Sequence, residues 1–211
     1  MELLGPSFGG IVVSDRFSAY DQLPLEQRQL CWAHIVRDLT AIAERSGASA
    51  EMGTRLLSLR QQLFEHWHRW KAGEINRKHL RQQCRPIRAE FEQTLRQVVE
   101  LGHERKEQTP WSQTVRTCQH LLQREQALWT FLDHHDVEPT NNGAERALRP
   151  AVIQRKISYG VQSKTGALCR IRLLTVCTSL QQQGRDLWEF LEQAWMAHRH
   201  AGEMPSIIPN D

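Results

Sequence analysis

Glu138-Pro139-Thr140-Asn141-Asn142-Gly143-Ala144-Glu145-Arg146-Ala147-Leu148-Arg149-Pro150 is the stretch on which the reading of this chain turns, and Ala151-Val152-Ile153-Gln154-Arg155-Lys156-Ile157-Ser158-Tyr159-Gly160 continues it. Pro139 and Thr140 read as loop, and Asn141 or Asn142 offers a side-chain oxygen to an orphan amide of a first helical turn. Pro150 lacks an amide hydrogen and disfavours helix at the residue before it, so the helix is expected to stop there. That short helix carries one carboxylate, Glu145, and the spacing of Asn142, Glu145 and Arg149 puts the three on one face. From Glu145 to Arg172 one acid stands against seven bases: Arg146, Arg149, Arg155, Lys156, Lys164, Arg170 and Arg172. Two readings follow. Glu145 is either half of an i,i+4 ion pair with Arg149 on a solvated helix, or a metal-binding carboxylate in a phosphate-binding surface. The second needs partner carboxylates elsewhere.

Upstream, Gly9-Gly10-Ile11-Val12-Val13-Ser14-Asp15 is a short apolar run that ends in an acid. A buried parallel strand has this pattern, with functional groups presented beyond its C-terminal end. The alternative role for Asp15 is a helix N-cap. A second run, Gln29-Leu30-Cys31-Trp32, follows after enough residues for a right-handed crossover. His34 and Arg37 begin the next helix, striped by Ile35, Leu39, Ile42 and Ala43. Cys31 and His34 have the spacing of half a zinc site, but no second ligand pair with convincing spacing accompanies them.

From Ala48 to about Asp136 the periodicity is helical. Met52, Leu56, Leu59, Leu63, Trp67 and Trp70 form one stripe, ended by Ala72-Gly73. Leu80, Cys84, Ile87, Phe91, Leu95 and Val98 form a second, in which Pro86 either kinks the helix or marks its start. Trp111, Val115, Cys118, Leu122, Trp129 and Leu132 form a third. Three antiparallel helices are therefore expected as an insertion, removable without preventing the flanking segments from packing together. Beyond Gly160, Lys164-Thr165 lacks the preceding glycine and strand of a phosphate loop. Leu168, Ile171, Leu174, Cys177 and Leu180 stripe one further helix and Leu187, Leu191, Ala194 and His198 another, before a loose tail.

The 211 residues suffice for one core and an appended subdomain, and the net charge of +3 matters less than its concentration after Glu145. Five irregularly spaced cysteines and the lack of an apolar leader or membrane-length segment lead us to expect a reduced, cytoplasmic protein.

Three blocks in order now carry a resemblance: Val13-Ser14-Asp15-Arg16-Phe17-Ser18-Ala19-Tyr20; Cys31-Trp32-Ala33-His34 with Arg37; and Asn141-Asn142-Gly143-Ala144-Glu145-Arg146-Ala147-Leu148-Arg149-Pro150 followed by Arg155-Lys156. The chain resembles the catalytic domain of bacterial Asp-Asp-Glu transposases of the insertion-sequence family 66 group. The resemblance implies an α/β, ribonuclease-H-like fold, mostly α by content, with an incomplete sheet whose first strands are missing and a large all-helical insertion. It divides the chain into 1–47 and 137–200 as two parts of the catalytic core, 48–136 as the insertion, and 201–211 as tail. Asp15 matches the second catalytic acid and Glu145 the third, both as ligands of Mg2+ or Mn2+. Arg146, Arg149, Arg155, Lys156, Lys164, Arg170 and Arg172 would hold DNA, with His34, Arg37 and Asn142 flanking the site.

Such transposases carry a first catalytic Asp on an earlier strand. The single acid upstream of Asp15 is Glu2, which has no strand context. The expectation is therefore a C-terminal portion from a truncated or split reading frame, complemented by an upstream fragment or working as a homo-oligomer, near the nucleoid and off the membrane. Two alternatives stand beside it: a non-catalytic DNA-binding or transposition-interfering fragment, and a helical interaction protein in which Asp15 and Glu145 are caps and ion pairs.

Overall fold

The computed structural model describes residues 8–104 and 106–208; Glu2 and the last three residues of the expected tail lie outside them. The described residues are mostly helical with a two-stranded sheet. Strands form where the apolar runs lie. Val12–Ser14 (β1) and Arg28–Leu30 (β2) pair in parallel, Val12 opposite Arg28, Val13 opposite Gln29 and Ser14 opposite Leu30. Two short 3-10 turns, Ser18–Gln22 and Leu25–Gln27, lie in the crossover. Trp32 opens a helix rather than closing a strand: Trp32–Ala43 (α1) buries Trp32, Ile35, Leu39 and Ile42 at the helical spacing.

The helical stretch follows as Ala48–Lys71 (α2), Arg77–Leu101 (α3), Pro110–Gln123 (α4) and Gln126–Asp133 (α5). Pro86 sits inside α3 and does not start it. The third stripe is two helices, not one. At the break the Arg124 guanidinium reaches the Asp21 carboxylate at 2.8 and 3.2 Å, and Glu125 accepts two bonds from Arg88 at 2.8 and 2.9 Å. That bend turns α5 onto β2. The Gln29 amide group accepts from the Phe131 backbone at 2.8 Å and donates to the Leu128 carbonyl at 3.2 Å, while the Thr130 hydroxyl donates to the Arg28 carbonyl at 2.6 Å.

One core results. Its cluster runs from Leu30 and Trp32 through α1 to α5, ending at Leu132. Trp32, fully buried, meets Phe91 and Trp129 edge-on with centroids 5.5 and 5.4 Å away, and its indole nitrogen donates to the Leu128 carbonyl at 2.8 Å. α1 and α2 approach so closely that a Cβ on Gly53 would lie 2.4 Å from the Ala43 amide nitrogen. Leu30, Trp32, Ile35, Leu39 and Ile42 thus share one buried cluster with the helical stretch, and cutting out 48–136 would uncover them.

The chain divides into two compact units, one closing at Asn142 and the other beginning at Gly143. The second holds Asn142–Ile157 (α6, whose first residue closes the first unit), Lys164–Gln182 (α7) and Leu187–His200 (α8). The expected stop at Pro150 is not observed: α6 runs through it. Proline removes one amide donor, and the residues around it are exposed, so water can satisfy the carbonyl left over. The helix ends instead at a turn where Tyr159 and Gly160 both take positive φ, +54° and +89°. Ser163 and Asp186 cap α7 and α8, accepting from the Gly166 and Glu189 amides at 3.0 and 2.8 Å. Beyond α8, residues 202–208 hold no regular element, and Gln183 donates to the Ile207 carbonyl at 2.9 Å.

Candidate active site

Asp15 is the first residue past the C-terminal end of β1 and is half-buried. Its Oδ1 accepts the Phe17 amide at 2.9 Å, an Asx turn that aims the carboxylate. It is not an N-cap, since the following 3-10 turn takes Phe17 as cap residue and receives no side-chain bond there. The neighbouring ladder continues past the strands, with the Cys31 amide donating to the Ser14 carbonyl at 2.7 Å. Arg16 pairs with Asp38 on α1 at 2.5 Å. Burial pushes the Asp38 carboxyl above its ordinary pKa, and Arg16 offsets this only in part. His34, half-buried, and Arg37, exposed, also act electrostatically on Asp38. Sequence reasoning passed over Asp38. Its signal was the i,i+4 spacing from His34 on a helix that starts at a strand end.

The loop leading to α6 is fastened to the junction of β2 and α1. The Trp32 amide donates to the Pro139 carbonyl at 2.9 Å, and the Asn141 amide donates to the buried Cys31 thiol at 3.4 Å. The Asn141 Oδ1 is enclosed with no hydrogen-bond partner, so this side chain is not spent on capping α6. Helix α6 begins on the next residue, Asn142, which is exposed.

Glu145 lies half-buried in the first turn of α6, where a carboxylate complements the positive end of the helix. Arg146, Arg149, Arg155 and Lys156 are exposed on the same helix, and Lys164 and Arg172 are exposed on α7. Arg170 is half-buried and donates to the Ala151 carbonyl at 3.0 Å, tying α7 to α6. Lys164 is the first residue of α7, behind the Ser163 cap, with no strand leading in. Asp15 belongs to the first unit and Glu145 to the second. Among the described residues no three His, Cys, Asp or Glu side chains gather in a metal-binding group, and no helix is long and apolar enough to cross a membrane.

Residues 1–168 match the family model described as Transposase IS66 family. The match takes in β1 and Asp15 beyond it, the helical stretch and the Glu145 helix. Neither the curated proteins nor the solved structures yield a significant match.

Proposed function

The chain belongs to the Transposase IS66 family, and from that premise we propose that it carries the second and third acids of an Asp-Asp-Glu catalytic domain, Asp15 and Glu145, on a ribonuclease-H-like framework. One observation carries the reading. Residues 139–141 are fastened to the junction of β2 and α1, so the chain enters the Glu145 helix from the strand ends beyond which Asp15 lies. Active groups of parallel sheets gather at those ends.

Mg2+ or Mn2+ fits the donors this chain offers. They are hard oxygens: the Asp15 and Glu145 carboxylates and the enclosed, unpartnered Asn141 Oδ1. In a completed assembly, ions held by these residues would supply Lewis-acid stabilisation of the oxygens in phosphodiester cleavage and strand transfer. The rest falls to side chains. The Phe17 amide keeps Asp15 Oδ1 oriented. Arg146, Arg149, Arg155, Lys156, Lys164 and Arg172 supply exposed cations for the DNA backbone, with Arg170 bracing the two helices that bear them. His34, Arg37 and Asn142 flank the acids.

Residues 1–211 alone are expected to bind DNA weakly and not to cut it, because two carboxylates do not hold two ions in the geometry of in-line displacement. Binding should fall about tenfold or more from low to moderate salt and be largely indifferent to sequence. When a polypeptide bearing a first catalytic acid is fused upstream or added in trans, Mg2+- or Mn2+-dependent nicking is expected. Asp15→Asn or Glu145→Gln should abolish that nicking and leave DNA binding within about twofold. Cutting by residues 1–211 alone would relocate the active site. Binding without nicking in the completed assembly would leave a transposition-interfering DNA-binding protein, and no binding at all a helical interaction protein.

A further inference from the structure

We propose that the tip of the α2–α3 hairpin is a positioning device for the Glu145 helix, acting through residues 134–141. The inference rests on the reading of Glu145 as a catalytic acid, but the clamp itself is built from groups in the first unit. Helix α5 ends at Asp133, and its last carbonyls have no partners within the helix. Two arginines one turn apart on α3 supply them. Arg77 Nη2 donates to the Phe131 and His134 carbonyls at 2.5 Å each, and Arg81 donates to the Leu132 and Asp133 carbonyls at 2.8 and 3.0 Å. Cations at this end also complement the helix dipole. The Arg77 guanidinium stacks 5.0 Å from the Trp70 ring centre, which locks its fork in place.

The next residues are held from the end of α2. The Trp70 ring meets the His135 ring edge-on at 5.5 Å, and Lys71 Nζ pairs with Glu138 at 2.7 Å. Immediately beyond, the Pro139 carbonyl and the Asn141 amide are fastened to Trp32 and Cys31. Residues 134, 135, 138, 139 and 141 are therefore pinned, the first three by Arg77, Trp70 and Lys71. A loop meant only to span two helices has no use for so many. A strap that must fix where the next helix begins has, since a displacement of about 1 Å at a catalytic group can cost about a hundredfold in rate. This gives the helical stretch a role beyond its share of the core. Trp70, Lys71, Arg77 and Arg81 are positioning residues, none of which need touch DNA.

Amide hydrogen exchange on the full chain tests this without relying on catalysis. Arg77→Ala is expected to raise exchange at the Trp32 and Asn141 amides about tenfold, with the α2 core amides of Leu56 and Leu63 changed less than about twofold. Arg77→Lys should recover part of the protection, because an ammonium restores the cation at the end of α5 but not the planar stacking on Trp70. Lys71→Glu and Glu138→Lys should each raise exchange at the same two amides about two- to fivefold, and the doubly exchanged protein should return to the parent rate. A general loss of structure cannot produce that rescue. Unchanged exchange at Trp32 and Asn141 in Arg77→Ala, a uniform rise across all amides, or failure of the charge exchange to rescue would each overturn the proposal. The catalytic reading is tested apart, by nicking with Asp15→Asn and Glu145→Gln, so the clamp can stand where that reading falls and the reverse.

Discussion

The two units reach helical structure by different means. In the first, 23 buried residues form one cluster in which α1 to α5 each lose an apolar stripe to the others. In the second, α6 buries no side chain fully, α7 buries Leu180 and α8 buries Phe190, while Ile157 and Trp188 stay 74% and 78% exposed. Local devices carry that unit: the Ser163 and Asp186 caps, the positive-φ turn at Tyr159-Gly160, and the Arg170 bond to Ala151. Helices of this length are marginal when burial is slight. Asp15 thus belongs to the unit with the packed core and Glu145 to the unit with little burial.

The largest effect should come from Trp32→Ala. It removes a fully buried indole and the donor to the Leu128 carbonyl, at a cost of about 3–5 kcal/mol in urea unfolding. Exchange rates in α7 and α8 should change little. Equal loss of protection there would break the contrast between the units.

A smaller effect is expected from acid. Arg124, and after it Arg28, hold the Asp21 carboxyl at about 2, below its ordinary 3.8. A depressed folded-state pKa contributes stability that is present above about pH 4 and lost as pH falls toward about 2. The carboxylate is 36% exposed, so solvent screening reduces the contribution to the order of 1 kcal/mol. Thermal melts of the first unit between pH 5 and pH 2 should show it, and Asp21→Asn should flatten that part of the profile.

The smallest effect sharpens the contrast from the other side. Asp186→Ala removes the bond to the Glu189 amide and should cost α8 about 1 kcal/mol. Helicity should fall on warming while the melting temperature of the first unit holds. A shift in that temperature would show that α8 stabilises more than its own surroundings.

The sequence was legible where burial has a period. The runs at Val12 and Leu30 are strands, they are parallel, and the stripes between Ala48 and Asp136 are helices. It was less legible where a single side chain decides. Nothing in the periodicity of Trp111 to Leu132 shows that Arg124 and Glu125 each have distant partners that bend the stripe into two helices. Pro150 misled because the rule against interior proline is strongest where the freed carbonyl is buried, and α6 is exposed there. The positions read for Asp15 and Glu145, past a strand end and in a first helical turn, are those the structure has. Asp38 was missed, because its environment is made by Arg16 arriving from another element.

Gln29 has a consequence for how this sheet can be extended. Its amide group takes a hydrogen from the Phe131 backbone and gives one to the Leu128 carbonyl, as a peptide unit would. Together with Thr130 on the Arg28 carbonyl, it uses side chains and a helix to terminate β2 on the flank away from β1. Assembly is thereby given a direction. An incoming strand, from this polypeptide or another, finds that flank occupied and must add over β1, beside the strand that presents Asp15.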